Sequence, residues 1–477
     1  MAVTTSWSVK LEQYSNNIDV TTRTLGARVA QSVEVGKMGH GEATIEIDNN
    51  DGAFTPFNDG TYSDLDIYGY ALMIDVTVSA GGSSYERNVF SGIVSEFELR
   101  DDGRNSTVVV SAVDALTIAG RSEVGYANLD VDLYFAGDLV TAVALLLDGW
   151  QLADGTVLLE EVPLPLLGAG DIDTQNIRRE NAGADSLYEF YGYQEYTVAD
   201  ILNSSILPAA PAVMYPSEIK FETVSGVETT RYRMMHHDSS LVPETSFRKD
   251  FVFAQNAAGT ELPFSYIDRG YNMDAVVNYA QVTRNNPTQF GGAATVERQH
   301  ESSESVERFG IRAVEYGTVA IRWDVETLQS GELQPGAQQV AERWANRYDT
   351  PRFLVRELGI SAKQVESLAA DAAAQQWADY LHCEGGLWNT AQVVYAPTGG
   401  AERTDNVVVA SRVLQISPED CNVTVYCLPM QDNMGFVLDD AKLGKLGGTL
   451  DAYDTASYTY DELFGYDGHP VEGNRLV

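Results

Sequence analysis

The side chains best suited to chemistry are scattered along the chain, and none completes a known constellation. His236-His237-Asp238 sets two imidazoles beside a carboxylate, but no further ligand is spaced to finish a tetrahedral site. His300-Glu301 opens like a zinc-protease helix, yet Glu304 stands where the second His is required. Asp48-Asn49-Asn50-Asp51-Gly52 has the residue types of a calcium loop without its spacing, which needs Gly sixth and Glu twelfth. Gly36 to Gly41 (GKMGHG) lacks the Gly-Lys-Ser/Thr order of a phosphate loop and reads as a turn. Gly168 to Asp171 (GAGD) does not match a dinucleotide-binding turn, and there is no G-x-S-x-G elbow. Carboxylates are abundant, but what defines a glycosidase pair is a separation of roughly 5 to 10 Å in the fold, which sequence does not reveal. Tyr188, Phe190, Tyr191, Tyr193 and Tyr196 read as a small apolar core rather than a sugar platform. No catalytic, cofactor-binding or metal-ligating residue is assigned, no cofactor is implied, and enzymatic turnover is not expected.

Composition narrows the function further. The 477 residues carry 69 Asp+Glu against 31 Lys+Arg, a net charge of −38, and only seven of the cations are Lys. Nucleic-acid binding as a main task needs clustered Lys and Arg, so it is disfavoured. An acidic, Lys-poor surface suits a protein working at high salt, where ions screen self-repulsion, or one that simply stays soluble. The longest apolar run, Val140 to Leu147, contains Thr141 and ends at Asp148, well short of the roughly 20 residues a membrane span needs. The N-terminus lacks the basic-then-apolar order of a signal peptide. Cys383, Cys421 and Cys427 form no disulfide framework. Cys421 and Cys427 share a strand face about 20 Å apart at about 3.3 Å per residue, too far for a bond. They read as small buried residues, which fits a reducing compartment.

The elements that must position these residues centre on Ala43 to Leu116. Ala43, Ile45 and Ile47 alternate with Thr44, Glu46 and Asp48, so one strand face is apolar. Leu72, Ile74, Val76 and Val78 repeat the pattern, Gly81-Gly82 turns the chain, and Ile93, Phe97 and Leu99 share the next face with Ser95. Asp102-Gly103 turns it again into Thr107 to Val113. Val29, Val33 and Val35 precede this antiparallel unit as further core candidates.

These runs also carry a resemblance. The apolar alternation ending at Asp48, Asn49, Asp51 and Gly52, followed by Phe54 and Pro56, resembles the N-terminal domain of tailed-phage baseplate hub, or tail-tip hub, minor tail proteins. FSGIV (Phe90 to Val94) and TVVVSAVDAL (Thr107 to Leu116) resemble that domain's closing hairpin. Farther on, Arg347 to Arg352 between helix and strand, and MGFVLDDAKLGKLGGTLDAY beyond Pro429, also resemble the family.

The rest of the chain divides by pattern. Asp138 can cap a helix over Leu139 to Leu147. ADSLYEFYGYQEYTVADILNSSILPAAP reads as two short helices, the second capped by Thr197 with Asp200 and stopped before Pro208. Short strands are expected at Ile219 to Val224 and Thr230 to Met234. MDAVVNYAQVTRNN reads as a buried strand, ATVERQHESSESVERFG as a hairpin or exposed loop, and GTVAIRWDVETL as another strand. Val340, Ala341, Trp344 and Tyr348 stripe one helix. Ser361 with Gln364 caps another, whose stripe is Val365, Leu368 and Ala372. Ser417-Pro418-Glu419-Asp420 turns a final hairpin.

The expected fold class is α+β and mainly β, with two related antiparallel β-barrel units, an inserted α/β region and a few helices. The expected boundaries are 1–120, 121–265 for the insertion, 266–430 for the second barrel, and 431–477 for an extended or docking segment. A faint repeat links the barrels: Asn105, Thr107 and Val108 match Asn422, Thr424 and Val425. The resemblance implies a structural virion protein at the tail tip, assembled in the host cytoplasm. It would join the tail tube to the tip spike or fibres and form part of the DNA exit channel. The implied arrangement is a homotrimer imitating sixfold symmetry. A distal tail ring protein, the tape-measure protein and a tip, spike or fibre protein would be its partners, with DNA only in transit and no membrane insertion. A negative lumen would then keep DNA from sticking. The competing classes are a tail-associated glycosidase or depolymerase and an extracellular β-rich adhesin.

Overall fold

Period-two alternation becomes strand wherever it occurs in the N-terminal region. The computed structural model describes residues 3–13, 16–34, 36–56, 60–63, 70–123, 134–137, 146–147, 150–151, 157–159, 170–173, 188–191, 197–207, 212–224, 227–238, 251–271, 276–286, 294–318, 341–342, 344–345, 349, 353–368, 371–383, 385–387 and 389–429. The first strands are β1 (Thr4–Gln13), β2 (Asn16–Asp19), β3 (Thr24–Ser32), β4 (Lys37–Met38), β5 (His40–Asp48), β6 (Ala71–Ala80), β7 (Ser83–Asp101) and β8 (Ser106–Val113). All but β4 lie in one sheet in the order β2-β1-β6-β7-β8-β5-β3. Ala43, Ile45 and Ile47 of β5, and Leu72, Ile74, Val76 and Val78 of β6, are buried in a common core, as alternation predicts. Gly81 and Gly82 take positive φ (60° and 98°) in the two-residue turn, a conformation that costs Gly little.

One face assignment is corrected. Ile93 and Phe97 lie on opposite faces, because a bulge between Val94 and Glu96 of β7 inserts an extra residue, Ser95. Ile93 packs in an outer cluster with Ala71, Met73, Ala115 and Ile219, while Phe97 packs on the main core.

The middle of the chain holds β9 (Tyr134–Gly137), β10 (Trp150–Gln151), β11 (Val157–Leu159), β12 (Gly170–Asp173), β13 (Tyr188–Tyr191), β14 (Ala212–Val224) and β15 (Val227–Asp238). The first helix, α1 (Ala115–Arg121), precedes them, and α2 (Val198–Ile201) runs on into a π-helical turn at Leu202–Ile206. Thr197 and Asp200 form the capping box, and the described helical turn ends at Leu207, before Pro208. Tyr188 to Tyr191 is a strand paired with β9, not a helix, so β-rich aromatics override the expectation there. The β14–β15 hairpin extends well beyond both expected strands. This region is tied to the N-terminal part of the chain: β14 pairs in parallel with β4, Asn203 Oδ1 accepts from Met38 N (2.7 Å), and Ser91 Oγ, on β7 of the first sheet, accepts from Ile219 N (2.8 Å).

The C-terminal part holds β16 (Phe251–Ala254), β17 (Leu262–Pro263), β18 (Tyr266–Tyr271), β19 (Tyr279–Asn286), β20 (Ala294–Glu301), β21 (Ala313–Thr318), β22 (Phe353–Ser361), β23 (Thr390–Tyr395), β24 (Arg403–Ile416) and β25 (Cys421–Pro429), with α3 (Ser303–Phe309), α4 (Ala362–Glu366) and α5 (Asp371–Leu381). The segment expected as hairpin or loop is instead strand β20 followed by helix α3, ended by Gly310 at φ 72°. Ser361 makes no capping hydrogen bond; its hydroxyl donates to Asp420. The single expected helix is two, and the break resets its phase: Ala372 is exposed, while Ala373, Ala374, Trp377, Ala378 and Leu381 are buried. Ala341 and Trp344 are buried in helical turns as expected, whereas Val35, Asp138, Val340, Tyr348 and the run beyond Pro429 lie outside the described residues. The ladders of β16, β17, β18 and β22 to β25 join those of the first unit in one mainly antiparallel sheet of 14 strands. The observed class is α+β, mainly β.

Candidate interface of the two repeated units

The strands on either side of the sheet's midpoint repeat one another. The first unit runs β3-β5-β8-β7-β6-β1 and the second β18-β22-β25-β24-β23-β16, and in each the chain visits those positions in the same sequence. The ladders agree in direction except the last, antiparallel between β1 and β6 but parallel between β16 and β23.

The agreement is closest in the hairpins β7/β8 and β24/β25. Each has a bulge on its first strand, at Ser95 and Ala410, where one residue is skipped in the ladder. After each bulge come six ladder pairs, Glu96↔Ser111 to Asp101↔Ser106 and Ser411↔Tyr426 to Ile416↔Cys421. Each loop holds four residues, and its first N–H donates to the fourth carbonyl, Asp102 to Asn105 (3.2 Å) and Ser417 to Asp420 (2.8 Å). In each, the first side chain also accepts from the fourth N–H, through Asp102 Oδ1 (2.7 Å) and Ser417 Oγ (3.1 Å). Thr107 therefore corresponds to Asn422 and Asn105 to Asp420. The sequence match of Asn105 with Asn422 is displaced by two residues, a shift that keeps the strand face and so leaves the apolar pattern matched. Val108, Val110 and Ala112 are buried, and so are their counterparts Val423, Val425 and Cys427.

Where the units meet, β3 lies along Ser411 to Ile416 of β24, in register from Ser411↔Ser32 to Ile416↔Ala27. The bulge marks the place where β24 exchanges neighbours, since its earlier residues pair with β23. Arg412 pins this seam. Its side chain is fully buried, donating to Gln31 Oε1 (2.9 Å) on β3 and to the carbonyls of Tyr380 (2.5 Å) and His382 (3.1 Å) at the end of α5. Carbonyls at a helix C-terminus are a favourable partner for a cation. Gly386 is required beside it, because a Cβ there would collide with Arg412 Nη1. Sequence reasoning missed Arg412 because the bulge shifts the alternation: counted from Val407 and Val409, it falls on the outward phase.

The Asp48 to Gly52 loop is architectural. Asn49 is buried, its Oδ1 accepting from Phe54 N (2.8 Å) and its amide donating to Thr55 Oγ1 and Ser106 Oγ. Asp51 accepts from both terminal nitrogens of the Arg23 guanidinium, Nη1 and Nη2 (2.8 and 2.6 Å), which holds its carboxyl down at about 2. Gly52 has φ 71°, and Phe54 stacks on Tyr62. Asp114, the N-cap of α1, accepts from Thr117 N (2.6 Å), while its buried Oδ2 has no hydrogen-bond partner. Burial pushes its carboxyl up to about 6.

Other residues with potential chemistry are dispersed. His236, His237 and Asp238 lie on β15, His300 and Glu301 on β20, and Glu304 in α3. His300 is therefore in a strand, not a helix. Among the described residues no group of three or more His, Cys, Asp or Glu could hold a metal ion. The three cysteines are free and buried, with burial raising the Cys421 thiol and pushing that of Cys427 up to about 12. Tyr188, Phe190 and Tyr191 lie on β13, and Tyr193 and Tyr196 lie outside the described residues. No described helix is long and apolar enough to cross a membrane.

No family model matches the sequence, and no curated protein matches it. Among solved structures, the fold is similar to a 43 kDa tail protein of prophage MuSo2 from Shewanella oneidensis, 11% identical, covering 90% of this chain and 99% of that one at a TM-score of 0.45. It is similar to a tail protein from Neisseria meningitidis MC58, 8% identical, covering 88% and 96% at a TM-score of 0.44. It is also similar to the E. coli c3393 protein, a type VI secretion component with structural similarity to T4 tail proteins, 10% identical, covering 86% and 74% at a TM-score of 0.35.

Proposed function

We propose that the chain is a structural protein of a tailed-virus tail: the hub at the tail tip, joining the tail tube to a spike or fibres. The observation that carries this reading is the repeat of a six-strand order, with matching bulged hairpins, in the two halves of one chain. Such a chain supplies two similar wedges, so three copies around an axis supply six. A homotrimer could then sit against a sixfold tube without a symmetry clash. The layout proposed is a first unit at 1–120, an insertion at 121–265, a second unit at 266–430 and a docking segment at 431–477. The partners are a distal tail ring protein, the tape-measure protein and a tip, spike or fibre protein. A net charge of −38 suits a channel wall that DNA passes without adhering. Function is binding and geometry: the polar groups of Asn49, Asp51 and Arg412 are spent on holding loops and strands together.

Immunogold labelling of intact particles with an antibody to this chain tests the reading. Label at the tail tip is the expected result. Label confined to free protein or to cell surfaces would replace it with a depolymerase or an adhesin.

A further inference from the structure

Two carboxylate side chains are buried among the described residues, and their settings differ. Asp379 on α5 pairs with Arg87 of β7 (2.7 Å). Asp114 makes no ion pair among the described residues and sits at a joint. Its N–H donates to the carbonyl of Gly41 on β5 (2.9 Å), and its Oδ1 caps α1. Its Oδ2, left without a donor, is pressed against the main chain of β5: a Cβ on Gly41 would lie 2.5 Å from it. Beside it, His40 Nδ1 lies 3.1 Å from Thr117 Oγ1 of α1. Just before Gly41 the chain holds the middle region: β4 pairs with β14, Met38 N donates to Asn203 Oδ1, and Gly39 N donates to the Met214 carbonyl. α1 holds the same region too. Its Gly120 leaves room for Met38 and Ala199, which a Cβ there would meet. Its Ala115 clusters with Ile219 of β14, and the Ser122 carbonyl just after it accepts from Val198 N (2.9 Å).

We propose that Asp114 is a pH-operated latch: protonated, it keeps β5 and α1 together; ionised, it parts them and loosens their hold on β14 and α2. The cause is desolvation. A carboxyl pressed on a strand backbone with one oxygen unbonded is tolerated when neutral and costly when charged. Burial accordingly pushes it up to about 6. Hydrating the ionised carboxyl requires His40 and Gly41 to lift from α1. That breaks the bond from Asp114 N to the Gly41 carbonyl and pulls on residues 37–39, which carry β14. The latch is closed below the ordinary carboxyl value of 3.8, opens about tenfold more for each pH unit up to about 6, and then levels off. The charged groups on the surrounding elements do not provide a counter-ion. β5 brings His40, whose charge favours the ionised form, and Glu42, already paired with Arg28 of β3 (2.9 Å). β4 brings Lys37, paired with Glu34 (2.8 Å). Arg121 at the far end of α1 and Glu123 just past it are exposed, and Asp200 of α2 is bonded to Thr197. The described side chains of β14, Met214 and Ile219, are apolar and buried.

Hydrogen exchange of the purified full chain, read by mass spectrometry at about pH 5 and about pH 7.5, tests the latch. Dividing wild-type rates by those of Asp114→Asn at the same pH cancels the intrinsic effect of pH on exchange. That ratio should be about tenfold larger at the higher pH for amides of residues 37–41 and 114–122, the change in opening expected of a carboxyl raised from 3.8 to about 6. At the higher pH these amides should exchange ahead of those in the β24–β25 hairpin and respond little to low urea, because a local opening exposes little surface. His40→Asn should keep the pH dependence, since the switch is the carboxyl. Gly41→Ala, whose Cβ displaces Oδ2, should exchange fast in both segments at either pH. A ratio that does not change with pH would overturn the proposal. So would a urea dependence as steep as that of the hairpin, loss of the pH dependence in His40→Asn, or wild-type exchange in Gly41→Ala.

Discussion

Replacing Arg412 with Met should destabilise the whole seam between the two units. The substitution keeps an apolar stem of similar length but removes the donors to Gln31 Oε1, the Tyr380 carbonyl and the His382 carbonyl. The His382 carbonyl keeps the N–H groups of Gly385 and Gly386, but Gln31 Oε1 and the Tyr380 carbonyl lose a buried donor, at about 1 to 3 kcal/mol for each acceptor left without a partner. Relief from burying the guanidinium offsets part of that sum, so the net loss is about 3 to 5 kcal/mol, as for removal of one partner from a buried charged network. Urea unfolding followed by far-ultraviolet circular dichroism and Trp fluorescence reads the change as a lower midpoint at unchanged slope. A cycle with Gly386→Ala sharpens the assignment. A Cβ at position 386 collides with Arg412 Nη1 and also with the Tyr380 carbonyl oxygen; Arg412→Met relieves only the first, so Gly386→Ala should stay costly in the double variant but cost at least about 1 kcal/mol less there than alone. A loss below about 1 kcal/mol for Arg412→Met, with no coupling to Gly386→Ala, would refute the view that this arginine pins the seam.

Three further outcomes are expected. Burial raises the Asp114 carboxyl from 3.8 to about 6, so its contribution to stability is complete below pH 3.8 and is lost as pH rises through about 6. Asp114→Asn keeps an acceptor for Thr117 N and should be near neutral at pH 4 but stabilising by about 3 kcal/mol at pH 8; a pH-independent difference would contradict this. Asn49→Ala breaks three loop hydrogen bonds in a buried site and should cost about 2 to 4 kcal/mol in chemical denaturation; retention of full stability would make the Asp48 to Gly52 loop dispensable. With a net charge of −38, the melting temperature should climb from low to molar NaCl, and a flat or falling trend would mean the acidity serves solubility alone.

Strands whose two faces differ in polarity were readable, because burial follows period two: Ile45, Val76 and Val110 are all where alternation puts them. Turns with Gly at positive φ, at Gly52, Gly81 and Gly103, were readable for the same kind of local reason. The bulges at Ser95 and Ala410 were not, since an extra residue changes the phase without any compositional mark. They concealed both the face of Ile93 and the inward direction of Arg412. Tyr188 to Tyr191 was misread because a short aromatic run suits helix or strand, and pairing with β9 decided it. The seam itself, β3 on β24, joins residues far apart in the chain, and no local pattern encodes such a pairing. The hairpin repeat was visible as residue types but two residues out of register, since only ladder pairs reveal where a loop begins.

The seam also sets a schedule for synthesis. β3 pairs with residues 411–416, so its outer edge stays open after β8 is complete and until some 300 further residues have left the ribosome. At about 5 to 20 residues per second that interval is roughly 15 to 60 s. An open edge is a template for pairing with any other chain. β3 carries two features that discourage it, a bulge at Leu25 and a charged, exposed Arg28 paired with Glu42. The first unit is thus guarded during its wait, and the last hairpin to emerge from the described chain is the one that covers that edge.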